Sequence, residues 1–290
     1  MTTYITVIKV YLTPKHDIVL TNFTGTVVES FFLKLLDRIE PGLGDKLHSE
    51  KRPKPFSVTP FFVDGRPVIG YRPVVVRAGS VLWFRVSIVG DLGTKLIPLL
   101  TDLMYREVNF FKISAKFVVS NIEARIVSTD AFFEPGSTVF KIRFLSPTRF
   151  AIKKPRRSRR PRYCFCPEAW RIVKSSLKHW RNFVDIHISD KIVEWSYYYV
   201  VLADFGTLRG FRSNVVTVRL PRGGVARGYV GFALYQVLGR RRLHELWALL
   251  RYAQLMNVGT GRSMGLGVVE IIELKPRSEK TRNASSCNTS

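Results

Sequence analysis

The apolar and polar residues at the start of the chain change from a strand-like to a helix-like pattern. Residues 4–12 alternate between apolar and polar positions and are rich in β-branched side chains, which predicts a strand that Pro14 ends. From residue 22 or 24 to residue 39, apolar residues recur at the spacing of one helix face, and Pro41 follows them. The chain is therefore expected to open with a strand and an amphipathic helix.

The following stretch continues this alternation of strands and helices. The pattern predicts strands at residues 56–63, 67–76, 80–89, 108–113 and 117–128, and a second helix at residues 92–105. Before the first of these strands, residues 47–56 are expected to form a polar loop that two prolines hold extended. The order β-α-β-β-α-β, with one extra strand, is typical of a ferredoxin-like unit.

A second unit with the same order follows a break at residues 129–136. It comprises predicted elements in the order strand 138–145, helix from Pro167, strands 192–202, 215–220 and 225–238, helix 241–256 and strand 268–274. We therefore predict an α+β chain of two tandem ferredoxin-like (RRM-like) domains with antiparallel sheets, at residues 1–132 and 133–274, and a disordered basic and polar tail at residues 275–290. Sheet faces of this topology commonly bind RNA.

The charge of the chain narrows the choice of partner. The 46 Lys and Arg residues outnumber the 22 Asp and Glu residues and give a net charge of +24. Such a charge makes a polyanion the expected partner, nucleic acid first and an anionic membrane surface second. No apolar run is long enough to span a membrane, and the N-terminus lacks the pattern of a signal peptide. With three cysteines and no metal-binding spacing, we expect a cytoplasmic protein without disulfides or structural zinc.

One segment concentrates this positive charge. Residues 153–162 contain seven basic residues and two prolines, so they repel one another and are expected to form a solvated loop. A solvated loop without a ligand is one interpretation of this run. The other, which we favour, is that its side chains contact phosphates of a nucleic acid. The contacting residues would then be Lys153, Lys154, Arg156, Arg157, Arg159 and Arg160.

A glycine-rich stretch lies between the last predicted helix and the last predicted strand. Its glycines are Gly259, Gly261, Gly265 and Gly267, and Arg262 and Ser263 lie between them. A dinucleotide-binding loop has a different glycine spacing and lies between a strand and a helix, in that order. Glycines still allow backbone N–H groups to surround an anion, and Arg262 adds a charge. A plain turn after the helix remains the alternative to an anion-binding loop.

The chemistry-bearing residues favour acid–base catalysis over metal-dependent catalysis. The acidic residues are scattered, and the sequence contains neither a P-loop nor a serine nucleophile motif. We therefore expect no metal and no cofactor. RNA carries its own nucleophile, the 2′-hydroxyl, so an enzyme need only move protons and stabilise the charged phosphate. Among the five histidines, His48 stands out because Lys51, Arg52 and Lys54 follow it in the polar loop.

Three of these stretches resemble one known family, the CRISPR precursor-RNA processing endoribonucleases of the RAMP superfamily. They are the glycine-rich segment Gly259–Gly267, the segment Ser-Pro-Thr-Arg-Phe at residues 146–150, and the loop at residues 47–56. The resemblance implies a pair of ferredoxin-like folds whose cleft binds a CRISPR repeat RNA. It also implies metal-independent cleavage that leaves a 2′,3′-cyclic phosphate and a 5′-hydroxyl.

The resemblance also suggests roles for single residues. His48 would be the general base or acid, Lys54 would stabilise the phosphate, and Lys51 could share that charge role. Arg52, Arg149 and the glycine-rich segment would bind RNA. Some relatives carry a tyrosine on the first helix, but the nearest positions here are Phe32 and Leu33, which transfer no proton.

Two other functions remain open on the sequence alone. The chain could be a non-catalytic RNA-binding subunit of a CRISPR effector complex, which the missing tyrosine favours. It could also be a general basic RNA-binding protein with no preference for a repeat. The expected partners are the precursor and the processed RNA, with other effector subunits or a second copy of the chain as further partners.

Overall fold

The alternating run at the N-terminus forms the central strand of the first sheet. In the computed structural model, which describes residues 2–50, 53–153, 161–220 and 224–275, this strand is β1 (Tyr4–Pro14). Because successive side chains of a strand point to opposite faces, β1 divides its apolar residues between two cores. Ile8 and Val10 pack with the helices of the first half, whereas Ile5 and Val7 pack with residues of the second half.

The first half of the chain surrounds β1. Its further elements are β2 (Ile18–Leu20), α1 (Gly25–Leu36), α2 (Leu43–Ser49), β3 (Phe56–Val58), β4 (Phe62–Val63), β5 (Arg66–Pro67), β6 (Val74–Val76), β7 (Leu82–Val89), α3 (Leu92–Thr101), β8 (Glu107–Phe110) and β9 (Ala115–Ser128). The strand order of the main sheet is β5-β4-β7-β1-β9-β8, with β3 also paired to β7. The pairs of β1 with β7 and with β9 are antiparallel. This arrangement confirms the ferredoxin-like prediction for the first half.

The second half repeats the arrangement with different lengths. Its elements are β10 (Val139–Thr148), β11 (Phe150–Ile152), β12 (Arg162–Cys164), α4 (Ala169–Phe183), α5 (Lys191–Tyr199), β13 (Val200–Gly206), β14 (Val215–Arg219), β15 (Val225–Val237), α6 (Leu243–Met256) and β16 (Val269–Leu274). The strand order is β13-β15-β10-β16, with β14 also paired to β15. Among the described residues, β2 also pairs with β6 and β11 with β12, each antiparallel. The mixed α+β architecture with two main antiparallel sheets is therefore as predicted.

The two halves are joined by buried contacts. Phe23 and Ile69 of the first half pack with Val216, Val230 and Leu266 of the second half in one apolar cluster. Because apolar surface is buried across the boundary, each half depends on the other for part of its core.

Hydrogen bonds between the halves converge on the end of α6. The carbonyl oxygen of Leu255 accepts hydrogen bonds from Ser57 Oγ (3.0 Å) and from the Arg85 guanidinium (3.2 Å). The amide of Asn257 donates to the carbonyl oxygen of Val58 at 2.8 Å. The last turn of α6 and the segment that follows it are thereby fixed to strands β3 and β7.

Some predicted elements differ from the observed ones. Residues 192–202 were expected to form a strand, but Lys191–Tyr199 is helix α5, and β13 begins only at Val200. Its buried residues Ile192, Trp195 and Ser196 have the three- and four-residue spacing of a helix face, which prevailed over the strand propensity of the aromatic run. The predicted strands at 56–63 and 67–76 are each broken into two short strands. The predicted tail lies beyond residue 275, outside the described residues, and the boundary at residue 132 stays a prediction.

Candidate functional site

His48 lies on helix α2, although the sequence pattern predicted a loop at this position. The helix starts after Gly42, which adopts a left-handed conformation with φ of 81°, and the carboxylate of Asp37 accepts a hydrogen bond from the Gly44 N–H at 2.8 Å. Leu47 anchors the helix by packing into the core of the first half. His48 is the next residue and is exposed to solvent. The prediction of a loop was wrong here, because Leu43 and Leu47 both pack on the core of the first half and hold a helix of two turns.

Lys54 lies where the chain returns from α2 to the first sheet. Its ammonium donates a hydrogen bond to the backbone carbonyl of His48 at 3.4 Å, so the two predicted catalytic residues meet in one corner of the fold. The Lys54 Nζ also lies 3.8 Å from Oε1 of Glu29 on helix α1 and 6.0 Å from the centre of the Phe56 ring. The lysine side chain is 14% exposed, so its charge is held at the edge of a partly buried pocket.

Glu29 is the carboxylate of this corner and was not predicted. Burial raises its pKa, and the neighbouring Lys54, a hydrogen bond from Ser263, His48 and Lys112 partly offset that effect. Ser263 belongs to the glycine-rich segment, more than two hundred residues further along the chain. The carboxyl group thus brings together the first helix, the predicted catalytic residues and the glycine-rich segment.

His179 supports the same corner from the second half. Its Nε2 lies 3.0 Å from the backbone carbonyl of Lys54, and its Nδ1 lies 2.7 Å from the hydroxyl of Tyr252. A carbonyl oxygen only accepts hydrogen bonds, so Nε2 carries the proton and Nδ1 accepts from the tyrosine. Burial, with a smaller effect from Arg262, lowers the pKa of His179 to about 3. We conclude that His179 is a neutral, structural histidine that fixes the Lys54 backbone.

The glycine-rich segment is shaped by contacts within the protein. Its four glycines all have left-handed backbone angles, with φ of 73° at Gly259, 83° at Gly261, 84° at Gly265 and 72° at Gly267. A Cβ at Gly259 would lie 2.3 Å from the carbonyl oxygen of Arg149, and one at Gly267 would lie 1.8 Å from that of Val258. Backbone conformation and close backbone packing therefore account for these glycines without a ligand.

Arg262 lies inside this segment and faces the protein. It is only 7% exposed, and its guanidinium donates hydrogen bonds to the backbone carbonyls of Met256 (3.0 Å), Ser175 (2.9 Å) and Asn257 and to Ser175 Oγ (2.8 Å). Burial lowers its pKa to about 10, so it remains charged at neutral pH. The expected contact between Arg262 and RNA is corrected by this geometry, because its donors are already used to hold the segment against helices α4 and α6.

A basic groove runs from Lys54 between helix α4 and the glycine-rich segment. Its volume is about 670 Å³, and we define the basic groove by five cations that line it: Lys54, Lys153, Arg171, Lys174 and Lys178. The buried Arg262 is a sixth cation in its lining. Gly259 to Ser263 and β11 form further parts of the wall, and Phe56, Phe150 and Trp170 add apolar surface. None of the described residues that line the groove carries a carboxylate. The groove therefore combines positive charge with aromatic surface, the combination that binds single-stranded nucleic acids.

Helix α4 supplies three of these cations because its two faces differ. Ile172, Val173 and Leu177 are buried in the core of the second half. Arg171, Lys174 and Lys178 recur at the same helical spacing on the other face, and Lys174 and Lys178 are exposed. This basic stripe was not predicted from the sequence, although its three- and four-residue spacing beside an apolar face indicates a charged helix face.

The remaining predicted RNA-binding residues have different positions. Arg149 donates a hydrogen bond to Thr260 Oγ1 at 3.2 Å and stacks over the Tyr163 ring at 4.3 Å, so it lies beside the glycine-rich segment. Lys153 lines the groove. The other predicted residues lie outside the described part of the chain: Lys51, Arg52, Lys154, Arg156, Arg157, Arg159 and Arg160.

The described residues form neither a metal site nor a membrane-spanning helix. Within residues 2–50, 53–153, 161–220 and 224–275, no three or more His, Cys, Asp or Glu side chains are grouped as metal ligands would be. In the same ranges, every helix is too short or too polar to cross a membrane.

Comparison with protein families finds two matches along the chain. The family model of the CRISPR-associated endoribonuclease Cas6 matches residues 142–269, and that of the Cas6 N-terminal domain matches residues 6–125. Together the two models cover most of both halves. No curated protein sequence matches the chain.

Solved structures show the same fold over nearly the whole chain. A product complex of Cas6 from Thermus thermophilus is 21% identical, with a TM-score of 0.72, and the match covers 94% of this chain and 100% of that one. A Cas6 substrate mimic complex is 21% identical, with a TM-score of 0.65 and coverage of 93% and 99%. The product of a Cas6-related gene from Pyrococcus furiosus is 14% identical, with a TM-score of 0.62 and coverage of 93% and 99%.

Proposed function

The chain belongs to the Cas6 family of CRISPR-associated endoribonucleases, and on this premise we propose that it binds a CRISPR repeat RNA in the basic groove and cleaves it beside His48 and Lys54. One observation carries the proposal: Lys54 lines a groove together with five other cations, and none of the described lining residues carries a carboxylate. The cations of α4 would neutralise the phosphates of an RNA strand that binds in the groove. The strand would then lie beside Lys54.

The proposed chemistry uses the nucleophile that RNA provides. The 2′-hydroxyl oxygen forms a bond to the adjacent phosphorus, and the bond from phosphorus to the 5′ oxygen breaks. The products are a 2′,3′-cyclic phosphate and a 5′-hydroxyl. The 2′ oxygen loses its proton and the leaving 5′ oxygen gains one. His48, which is exposed, carries out one of these two transfers, and solvent water carries out the other. Lys54 stabilises the negative charge that develops on the phosphate oxygens. The reaction as written uses no metal ion.

The proposed RNA-binding surface extends beyond His48 and Lys54. We propose that Arg171, Lys174 and Lys178 contact phosphates along the groove, together with Lys153 and Arg149 beside the glycine-rich segment. Lys51, Arg52 and the basic run at residues 154–160 remain proposed contacts from the sequence. The apolar wall around Trp170 offers surface on which a base can pack.

The test is cleavage of a panel of labelled CRISPR repeat RNAs, both hairpin-forming and unstructured, in the presence of EDTA, with the product ends mapped. A shuffled RNA of equal length is the specificity control. We expect one major cut in a matching repeat, a cyclic phosphate at its 3′ end, and no effect of EDTA. Cleavage that EDTA abolishes would contradict the metal-free mechanism.

The His48→Ala variant tests the assignment of the proton transfer. We expect its cleavage rate to fall by about 100- to 10,000-fold, the range for loss of an acid–base group, while its affinity for RNA stays close to that of the unmodified protein. The matched control is His187→Ala, which removes an exposed histidine outside the groove and should cleave normally. Equal rates for the two variants would exclude His48 from the reaction.

A second function has one observation in its favour. Phe32 is 2% exposed and packs against Phe56, with ring centres 4.7 Å apart, so the tyrosine found in some relatives has no equivalent at this position. A non-catalytic, RNA-binding role in a CRISPR effector complex is the corresponding alternative. It would be supported if the protein binds a repeat tightly and leaves it intact.

A further inference from the structure

The carboxyl group of Glu29 occupies an unusual position beside the basic groove. Its side chain is 7% exposed, and its Oε1 lies 3.8 Å from Lys54 Nζ. A buried carboxylate and a lysine lose much of their hydration, and a single ion pair does not reliably recover that cost. Stability alone is therefore a weak explanation for placing a carboxylate beside the one groove lysine that reaches His48.

The distance between the two charges shows how strongly the Glu29 carboxyl group engages the Lys54 ammonium. A charge-assisted N–H···O hydrogen bond is about 2.7–2.9 Å long, so a separation of 3.8 Å orients the ammonium without using a donor fully. The ammonium has three N–H donors. One is directed to the carbonyl of His48 and one toward Glu29, which leaves a third for a phosphate oxygen at the end of the groove.

Glu29 is in turn held from the other half of the chain. Ser263 lies close enough to Glu29 to lower the pKa of its carboxyl group, and Arg262 fixes the backbone next to Ser263 through its hydrogen bonds to Ser175 and Met256. The same segment packs closely on the start of α1, because a Cβ at Gly25 would clash with the carbonyl oxygen of Met264. The position of the carboxyl group therefore depends on the glycine-rich segment.

We propose that Glu29 is a positioning residue, which holds the Lys54 ammonium at the end of the basic groove and is itself oriented by Ser263. This role rests on the proposed function, because it acts through Lys54 on the scissile phosphate. It gives the glycine-rich segment a task in cleavage that does not require a direct contact with RNA. The groups that face Glu29 and share its charge balance are Lys54, His48 and Lys112.

The first test compares Glu29→Gln, which keeps the shape and removes the charge, with Glu40→Gln, an exposed glutamate beyond the same helix. In single-turnover cleavage at saturating protein, we expect Glu29→Gln to be slower by about 10- to 100-fold, the loss typical of a misplaced reacting group. Its affinity for the repeat RNA should change by no more than about two-fold, because the cations of the groove are intact. Glu40→Gln should match the unmodified protein in both measurements.

The second test needs no cleavage. The unmodified protein and the Glu29→Gln variant are treated with a limiting amount of an amine-acylating reagent, and the modified lysines are quantified by mass spectrometry. We expect Lys54 to react several-fold faster when Glu29 no longer holds its ammonium, while exposed Lys46 reacts equally in both proteins. Ser263→Ala should produce a smaller increase at Lys54, and this variant serves if Glu29→Gln does not fold.

These two readouts separate the possible failures. If no repeat RNA is cleaved by the unmodified protein, the proposed function fails, and the acylation rates still decide whether Glu29 holds Lys54. If Glu29→Gln cleaves at the normal rate, or loses RNA affinity as strongly as rate, the positioning role is overturned. An unchanged rate of Lys54 acylation in both Glu29→Gln and Ser263→Ala would overturn it as well.

Discussion

At the scale of single residues, His179 links the stability of the protein to pH. The ordinary pKa of a histidine is 6.5, and burial lowers that of His179 to about 3 in the folded protein. Between these pH values the unfolded chain binds a proton that the folded chain excludes, so the free energy of unfolding falls as the pH falls. The contribution of one group is at most about 1.4 kcal/mol per pH unit.

We therefore predict that His179→Gln has a weaker dependence of stability on pH than the unmodified protein. A glutamine can still donate to the Lys54 carbonyl but takes up no proton. Urea unfolding at several pH values between 6.5 and 4 measures the difference. The exposed His187 provides the control, because His187→Gln should keep the full pH dependence. An identical slope in all three proteins would show that His179 is protonated without cost.

The residues of the site differ in how far the sequence could reveal them. His48 and Lys54 stand close together in the chain, so their proximity was predictable, and the structure places them in one corner. Glu29 was not predictable, because a buried carboxylate is recognised by its partners and one of these, Ser263, is remote in the sequence. Arg262 was interpreted as an RNA contact, since its carbonyl partners are backbone atoms that no residue pattern displays.

At the scale of secondary structure, the two faces of helix α4 have different roles: one packs in the core and the other lines the basic groove. Its apolar face packs in the core, which fixes the direction of Arg171, Lys174 and Lys178 toward the basic groove. We predict that replacing all three by Gln weakens binding of repeat RNA and lowers the slope of log K against log salt by about 2. Each phosphate contact on a single strand contributes about 0.7 to that slope.

The control for the α4 variant is a second triple variant that loses the same positive charge outside the basic groove. Arg77, Lys95 and Lys191 are exposed and do not line the groove, and their joint replacement by Gln changes the net charge equally. Binding titrations over a range of salt concentrations compare the two triple variants. Equal slopes would mean that the effect comes from net charge alone and that RNA does not follow α4.

The secondary structure also shows which patterns determine an element. Strands β1 and β7 and helices α1, α4 and α6 follow from clear two-residue or helical periods. The aromatic run at residues 195–199 favours a strand by propensity, yet it ends helix α5 because Ile192 and Trp195 occupy one buried face. Strand propensity therefore gave the wrong element here, because tertiary packing determined the structure. The spacing of the buried residues predicts the helix correctly.

At the scale of the whole molecule, the two halves share their apolar cores. Val7 and Val89 of the first half belong to the main cluster of the second half, and the third cluster combines residues of both. We predict one cooperative unfolding transition rather than two. Scanning calorimetry should give a calorimetric enthalpy equal to the van't Hoff enthalpy, provided that unfolding is reversible. Two resolved transitions would contradict a shared core.

A variant at the boundary between the two halves tests which contacts make their unfolding cooperative. Arg85→Ala removes the hydrogen bonds from β7 to the Leu255 carbonyl and to Asn257 Oδ1, a loss of about 1.5–3 kcal/mol, and should lower the Tm of the single transition by about 3–8 °C. The exposed Arg77→Ala is the control. Splitting of the transition in Arg85→Ala would indicate that this contact, and not the apolar clusters, couples the halves.

The composition of the basic groove has a consequence for the order of events during translation. His48 and Lys54, the proposed reacting residues, are synthesised before α4 and residues 259–263, which form other walls of the groove. We therefore expect a nascent chain that has completed only its first half to carry the proposed reacting side chains without the surface proposed to bind RNA. On this proposal, a copy that is terminated before residue 259 should not cleave RNA.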